Sequence, residues 1–344
     1  GGTYQSTYIT FLLESGKVTL NDVQTVDDYG NSIYNQGATV TVNNGRYSAT
    51  KAKNRSGDLI YNNGGTLYLN NVEVDAQLTA VRNYSGEVVI NGGTYTSRGA
   101  YTAVSNAETM KIMDGKFETK EAAAVSSGKN LEIQGGTFTG GKENGSGIYI
   151  RGDAPATIEN ATIKGNKYGI RFENPQVTLK SAEFEDNETD IYLTNDRNTP
   201  TNAPHVELDE STKDTAGAIT VEVAHPAEGV QITTKNTGED YQQNLKLTSK
   251  NDGWLIGYKK DADGEYRYLT QREDDKHFGL NTINATATTG EGDNAITLEP
   301  YAQVKEDTEV TLTANAASGD KKFARWKAEM ITADGVEDAT SLIV

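Results

Sequence analysis

Apolar and polar positions alternate in a short pattern that recurs along the first 200 residues. It is clearest at 88–95, with the sequence VVINGGTY, and at 131–138, with the sequence LEIQGGTF. Looser copies start at Val18, Val40, Leu67, Met110, Ala156 and Val177, so that successive starts lie 21 to 27 residues apart. A repeat of this length is typical of a solenoid, in which each repeat forms one coil.

The columns of the aligned repeat predict the path of each coil. The first and third positions are apolar and the second is mixed or polar, which is the period of a half-buried strand. The fifth position is Asn, Asp or Gly in seven of eight copies, which predicts a corner with a left-handed backbone. The fifth-position residues are Asp22, Asn44, Asn71, Gly92, Asp114, Gly135, Asn160 and Ser181. The eighth position is usually large and apolar, and Thr25 is the exception.

A further strand follows in each coil and has its own column of Ile or Val. These residues are Ile33, Ile60, Val81, Val104, Val125, Ile148, Ile170 and Ile191. Two residues later comes an Asn column of Asn35, Asn62, Asn83 and Asn106, which ends at Ser127. Three short strands per coil, stacked in parallel at about 4.8 Å, predict an all-β fold built on a right-handed parallel β-helix.

The pattern changes twice along the chain, which predicts three domains. The β-helix occupies 1–196, a small β-rich capping or connecting segment occupies 197–279, and a partial β-sandwich or grasp-like module occupies 280–344. A turn at 261–264 between two strand-like segments predicts a hairpin in the capping segment. Because Gly1–Tyr4 match the second half of the repeat, we expect residue 1 to lie within a larger protein.

One column offers candidate binding residues. It lies directly after the Ile/Val column, so strand alternation predicts that its side chains point outward. The candidates are Tyr34, Tyr61, Arg82, Tyr149, Arg171 and Tyr192, and the column is completed by Ser105 and Ser126. Tyrosine rings and guanidinium groups on one face suit sugar rings or acidic glycans. The alternative is that Tyr merely has a high β-propensity and covers exposed sheet.

Composition narrows the choice of partners. The chain has 32 basic and 49 acidic residues, a formal net charge of −17, which argues against nucleic acid and against an anionic membrane surface. No stretch approaches the roughly 20 apolar residues that a membrane span needs. The absence of cysteine removes disulfides, zinc–thiolate sites and thiol catalysis.

Two parts of the chain resemble known proteins. The coils with INGGTY at 90–95 and IQGGTF at 133–138, closed by DIYL at 190–193, resemble the right-handed β-helix regions of large Gram-positive cell-surface proteins. The segment VTLTANAASGDKKFARW at 310–326 is similar to a bacterial surface repeat related to the internalin B-repeat. The resemblance implies an exported bacterial protein at the cell surface, which serves in adhesion or display. The outward column of Tyr and Arg adds host or cell-wall glycans as the expected partners.

β-Helices of this kind also include enzymes that cleave acidic polysaccharides with clustered acids and a basic residue or a bound Ca²⁺. The three histidines lie outside the coils, and no convergent set of acid, base and cation is apparent. We interpret Asp27–Asp28 as a solvated corner rather than a catalytic pair. The acidic run Glu183–Asp190 could gather oxygen ligands for Ca²⁺, but it lacks the spacing of a dedicated loop, and a solvated corner is favoured.

Three further features could suggest binding sites but are interpreted as a chance match or as core positions. Arg151-Gly152-Asp153 matches an integrin tripeptide, but three-residue matches often arise by chance. Trp254 and Trp326 lie in alternating strands, which favours core positions over ligand platforms. The sequence therefore predicts no catalytic or metal-binding residue and no cofactor. It favours a non-catalytic adhesin or display rod that binds glycans weakly, over a polysaccharide lyase or glycoside hydrolase and over a purely structural spacer.

Overall fold

A computed structural model of the chain describes residues 1–28, 30–49, 58–152, 154–173, 177–211, 217–237 and 241–271, and further on 277–280, 285–289, 296–298, 302–305, 310–314, 329–332 and 335–338. The chain divides into two compact units, Gly1–Arg272 and Glu273–Val344. The fold is all-β, and no described residue lies in an α-helix.

The first unit is a parallel β-solenoid of about eight turns, which confirms the predicted fold. Its strands form three faces. Face A contains Lys17–Asn21, Thr39–Asn43, Leu131–Ile133, Ala156–Glu159, Val177–Lys180 and Val206–Leu208. Face B contains Gly2–Ser6, Val23–Asp27, Arg46–Ala49, Gly136–Thr139, Ala161–Lys164 and Glu183–Glu185. Face C contains Ile9–Leu13, Asn31–Asn35, Val104–Asn106, Val125–Ser127, Ser146–Ile150, Tyr168–Phe172, Thr189–Leu193, Ile219–Val223 and Leu247–Ser249.

Three longer strands turn corners without interruption. Ile60–Ala76 and Val81–Ser97 run along faces C, A and B, and Thr109–Thr119 runs along faces A and B. They pair in register over most of their length, since Leu67 lies opposite Val88 and Val88 lies opposite Met110. Parallel pairing at every step brings equivalent positions of the repeat into columns, as the alignment predicted.

The apolar columns form the core. From the second coil onward, the first and third positions of the repeat are buried, as are all eight residues of the Ile/Val column. Inside face B the rings of Tyr95, Phe117 and Phe138 stack with centroids 5.2 and 5.0 Å apart. In these three coils the eighth position of the repeat therefore forms an aromatic stack along the solenoid axis.

The corner predicted at the fifth position is present in most coils. Six of the eight residues have a positive φ, namely Asp22, Asn44, Asn71, Gly92, Asn160 and Ser181. In the remaining two coils the positive φ falls one residue later, on Gly115 and Gly136. The prediction is wrong by one position there, and in both coils the residue that takes the positive φ is a glycine. Glycine has no Cβ and adopts this conformation with little steric cost.

The Asn column builds a hydrogen-bonded ladder inside the solenoid, here called the asparagine ladder. Each side-chain amide donates to the amide oxygen of the next coil, at 2.8 Å from Asn35 to Asn62 and 2.9 Å from Asn62 to Asn83 and from Asn83 to Asn106. Asn106 donates to the hydroxyl of Ser127 at 2.9 Å. That hydroxyl donates to a backbone carbonyl and so ends the ladder. Buried polar groups are thereby satisfied.

Parallel stacking continues past residue 196. On face C, Ile219–Val223 pairs with Thr189–Leu193, and Leu247–Ser249 pairs with Ile219–Val223. A 3-10 helix at Gln242–Asn244 comes just before Leu247–Ser249 in the chain, and the predicted hairpin follows as the antiparallel strands Leu255–Asp261 and Gly264–Thr270.

A fully buried arginine ties this hairpin to the 3-10 helix. The Arg267 guanidinium donates to the carbonyls of Gln242 and Leu245 at 3.0 and 3.3 Å. It also donates to the carbonyls of Ile256 and Gly257 at 3.3 and 3.2 Å. Burial lowers the pKa of Arg267 to about 10. The charged group is held by backbone dipoles, because buried charge is costly unless it is hydrogen-bonded.

The second unit is described through short antiparallel strands. His277–Leu280 pairs with Ala302–Lys305, and Glu329–Thr332 pairs with Gly335–Asp338. Ala285–Thr289 lies between Ile296–Leu298 and Val310–Ala314 in a three-stranded sheet. These extra sheets lie at the C-terminal end of the chain, where a small β module was predicted.

Candidate functional site

All six candidate residues lie in one column on face C. The register runs through Tyr34, Tyr61, Arg82, Ser105, Ser126, Tyr149, Arg171 and Tyr192. Except for Ser126, these residues are half-exposed, whereas the Ile/Val residues directly before them are fully buried. The column therefore faces outward, as strand alternation predicted. The side chains do not form one continuous ladder, however, but two clusters.

The tyrosine cluster consists of Tyr34, Tyr61 and Tyr84. The rings of Tyr34 and Tyr61 stack with centroids 5.0 Å apart, and Tyr84 stacks on Tyr61 at 6.3 Å. Arg82 does not join the stack. Its Nε lies 2.8 Å from an Asp58 carboxylate oxygen, in the preceding coil. The guanidinium thus leans towards the tyrosine cluster and has a carboxylate partner of its own.

The arginine cluster consists of Tyr149, Arg171, Tyr192 and Tyr168. The guanidinium carbon of Arg171 lies 4.8 Å from the ring centroid of Tyr149 and 5.7 Å from that of Tyr192. Tyr192 contacts Tyr168 at 4.2 Å between centroids. Contacts between a guanidinium and two rings hold all three side chains in place, since each is worth about 0.5–1 kcal/mol at an exposed site.

Glu173 completes the arginine cluster. It accepts a hydrogen bond from the Tyr149 hydroxyl at 2.5 Å, and its Oε1 lies 3.6 Å from Arg171 Nη2. Burial, reinforced by this hydrogen bond, raises the pKa of Tyr149. Burial also raises the pKa of Tyr192 and Tyr61. These phenols therefore stay neutral at physiological pH and act as hydrogen-bonding groups.

Small side chains separate the two clusters. Ser105 and Ser126 are the two residues of the column between Arg82 and Tyr149. Ser105 is half-exposed, but Ser126 is only 5% exposed although its column faces outward. The column thus carries two small side chains between Arg82 and Tyr149.

The interpretation of Asp27–Asp28 as a solvated corner is wrong for Asp27. Asp27 is fully buried and accepts hydrogen bonds from Thr10 at 2.6 Å and from Ser32. The Ser32 hydroxyl is also hydrogen-bonded to that of Thr25, at 2.6 Å. Alternation placed Asp27 on the inner side of the strand, and the polar Thr25 in the otherwise apolar eighth column was the signal of a polar interior in this coil. The carboxylate has a structural role among hydroxyl groups.

The acidic run Glu183–Asp190 is exposed at Glu183, Glu185, Asp186 and Glu188. Asp190 is the buried member, and it accepts two hydrogen bonds from Thr220, at 2.9 and 2.8 Å. Within the described residues, no three acidic or histidine side chains converge on a point where a metal ion could be held.

The remaining motifs are only partly described. Trp254 is half-buried and packs against the core of the first unit. Trp326 and Asp153, the last residue of the tripeptide, lie outside the described residues. Arg151 is exposed, and its guanidinium lies 5.7 Å from the Tyr149 centroid. His205 is half-buried, and burial lowers its pKa.

Sequence reasoning missed two members of the clusters. Tyr84 follows Arg82 by two residues, so strand alternation places it on the same side of the chain. Tyr168 precedes Ile170 by two residues and pairs in register with Thr189. Tyr84 could have been found by extending the outward positions along its strand, whereas alternation puts Tyr168 on the same side as the inward Ile170 and so gave no signal for it. The hydrogen bond from Tyr149 to Glu173 could not be predicted from the repeat pattern, because it depends on side-chain rotamers.

No family model, curated protein or solved structure matches the chain. The structural features above therefore stand without support from relatives. In the residues that the structure describes, no helix has the length and apolar character needed to cross a membrane.

Proposed function

We propose that this protein is a non-catalytic rod of a bacterial cell surface that displays a glycan-binding face, with host or cell-wall glycans as partners. The observation that carries the proposal is the outward column of face C, in which tyrosines and arginines are held in two ordered clusters. Aromatic rings with polar edges suit sugars, which present apolar C–H faces and hydroxyl rims. Side chains that are already ordered lose little entropy on binding.

The position of the acids supports binding rather than turnover. Catalytic carboxylates must reach a substrate, whereas Asp27 and Asp190 are buried in hydrogen bonds to Thr and Ser side chains. Asp58 and Glu173 are partners of arginines in the column. These carboxylates therefore have structural roles in holding the coils and the clusters.

The test is a glycan array probed with the purified chain, with and without Ca²⁺. The double variant Tyr61→Ala/Arg82→Ala removes one residue of the tyrosine cluster and the adjacent arginine. We expect it to weaken binding to the recognised glycans at least tenfold, because both residues belong to the proposed face. The control is Tyr68→Ala, which removes an outward, half-exposed tyrosine from face A of the same coil.

The two variants should also unfold close to the wild-type temperature, which excludes loss of the solenoid as the cause. Equal binding by the double variant and the wild type would refute the assignment of face C. Absence of binding to every glycan would leave the rod as a structural spacer and would refute the proposed function.

A further inference from the structure

We infer that the outer face of the Tyr84 ring is the platform on which the tyrosine cluster stacks a sugar, and that this sugar is an uncharged pyranose with equatorial hydroxyl groups. The inference rests on the proposed glycan-binding function. Its first support is exposure, because Tyr84 is 59% exposed, whereas Tyr34 and Tyr61 are only half-exposed. One face of the Tyr84 ring lies on Tyr61, with 6.3 Å between centroids and 19° between the ring planes. The open aromatic surface of the cluster is therefore concentrated at Tyr84.

The two ends of the tyrosine cluster have different neighbours. The residue in register with Tyr34 in the preceding coil is Leu12, whose side chain is long enough to lie over a ring. At the other end, the next-coil neighbour of Tyr84 is Ala107, whose N–H donates to the Asn83 carbonyl at 2.8 Å. Ala107 is exposed and has only a methyl group as its side chain. It therefore leaves the outer face of the Tyr84 ring open, which agrees with the exposure of that residue.

A break in the strand register accounts for the position of Tyr84. Asn62 pairs with Asn83, but Asn63 pairs with Ser85, so that Tyr84 is the extra residue of a β-bulge between the two pairs. Bulges leave one residue unpaired in the ladder and re-aim its side chain. The bulge thus lets Tyr84 stand out from face C while its ring still rests on the tyrosine cluster. A ring that is already held in place loses little entropy when a ligand binds.

The flat ring and its polar neighbours define the sugar. A pyranose with equatorial hydroxyl groups presents only axial C–H bonds on its two faces, and such a face stacks on an aromatic ring. Close to Ala107 in the chain, Ser105 is half-exposed and Glu108 is exposed. A hydroxyl and a carboxylate there can pair with the hydroxyl groups at the rim of the sugar. The carboxylate of Glu108 and the formal net charge of −17 both disfavour an acidic sugar.

The test removes or covers the platform in the whole chain. Tyr84→Ala removes the ring, and Tyr84→Phe keeps the ring without its hydroxyl group. Ala107→Leu places a leucine beside the open face, as Leu12 is placed at the other end of the cluster. Ala107→Ser is its control, because a serine side chain is too short to cover the ring. The unfolding temperature of each variant shows whether the solenoid is intact, and Ala107→Leu decides the question if Tyr84→Ala unfolds.

The probes compare sugar classes at equal chain length. They are β-linked oligosaccharides of glucose and of N-acetylglucosamine, oligosaccharides of mannose, which carries an axial hydroxyl group, and oligosaccharides of uronic acids. Titration calorimetry measures affinity, and saturation-transfer NMR identifies the sugar protons that contact the protein. We expect the wild type to prefer the β-linked probes, with the strongest transfer to their axial C–H protons. Tyr84→Ala and Ala107→Leu should each weaken binding about tenfold, whereas Tyr84→Phe and Ala107→Ser should stay within about threefold of the wild type.

The possible failures separate this inference from the proposed function. Unchanged binding by Tyr84→Ala or by Ala107→Leu would overturn the platform, and the proposed function would still stand if Tyr61→Ala/Arg82→Ala weakened binding in the same assay. Equal or tighter binding of the mannose or uronic-acid probes would overturn the class of sugar. Failure of the wild type to bind every probe would overturn the inference as a whole, and the glycan array then decides the proposed function separately.

Discussion

The asparagine ladder gives a quantitative test of how the solenoid is held together. Asn83 is fully buried, and its amide oxygen accepts a hydrogen bond from Asn62 at 2.9 Å. Its amide nitrogen donates to the amide oxygen of Asn106 at 2.9 Å. The same nitrogen donates to the backbone carbonyls of Thr109 at 2.8 Å and Gly86 at 3.2 Å. In Asn83→Ala the two backbone carbonyls lose this donor. Because an unsatisfied buried polar group costs about 1–3 kcal/mol, we expect a loss of roughly 2–4 kcal/mol in the free energy of unfolding.

The same coil supplies the control. Asn91 also donates to an asparagine of the preceding coil, at 2.7 Å to Asn70, but it is exposed at the outer corner. Water can replace its hydrogen bond, so Asn91→Ala should cost less than about 1 kcal/mol. The two variants thus differ in burial and in the number of hydrogen bonds that are lost, while the residue type and the coil stay the same.

The assay is thermal and denaturant-induced unfolding followed by circular dichroism, with hydrogen exchange over residues 81–106 to locate the effect. At about 2–4 °C per kcal/mol for a domain of this size, Asn83→Ala should lower Tm by roughly 4–16 °C. Asn83→Leu restores side-chain volume without hydrogen bonds, and it should not recover stability. Equal shifts for Asn83→Ala and Asn91→Ala would show that the buried hydrogen bonds add no stability of their own. Full recovery by Asn83→Leu would show that Asn83 contributes through packing alone.

Two further substitutions test close backbone contacts and the buried arginine. Gly93 has φ 105°, and a Cβ there would lie 2.2 Å from the Val72 carbonyl oxygen, whereas Gly92 has φ 89° and open space around it. We expect Gly92→Ala to cost about 1–2 kcal/mol from the backbone alone, and Gly93→Ala to cost clearly more, as measured by denaturant unfolding; equal costs would contradict the steric argument. Arg267→Met should destabilise the first unit by roughly 3 kcal/mol or more and should speed hydrogen exchange over 241–271. Lys259 in the same hairpin is exposed, so Lys259→Met should change the free energy of unfolding by less than about 0.5 kcal/mol. Similar effects of Arg267→Met and Lys259→Met would contradict a structural role for the buried guanidinium.

The repeat made most of the solenoid predictable. Alternation identified which residues are buried, since both inward positions of the LEI stretch at 131–133 lie in the core. It also identified the outward column of face C, because a period of two residues leaves no ambiguity about the two sides of a strand. The equivalent positions of successive coils pair in register, so the alignment of copies predicted contacts between coils.

Features that depend on side-chain rotamers and on single-residue changes in the coil were not predictable. Alternation did place Asp27 on the inner side of its strand, but the pattern could not show that the hydroxyls of Thr10 and Ser32 donate to its carboxylate there. Arg82 and Arg171 hold equivalent positions, yet one pairs with a carboxylate of the preceding coil and the other lies between two rings. The column alone cannot distinguish these outcomes, because they depend on which neighbouring residues supply a partner.

The head-to-tail bonding of the asparagine ladder has a consequence for how such a protein can change over time. From Asn62 to Asn106 each amide oxygen accepts from the asparagine of the coil before, and from Asn35 to Asn83 each amide nitrogen donates to the asparagine of the coil after, so the rungs are interchangeable. The spacing from Asn62 to Asn83 is 21 residues. Loss of residues 62–82 would bring Asn83 opposite Asn35 with the ladder still closed, and duplication of that stretch would add one rung. The number of coils can therefore vary by recombination in whole units of 21, 23 or 27 residues, the spacings between successive asparagines, whereas a deletion that does not run from one asparagine to another would break the chain of amides.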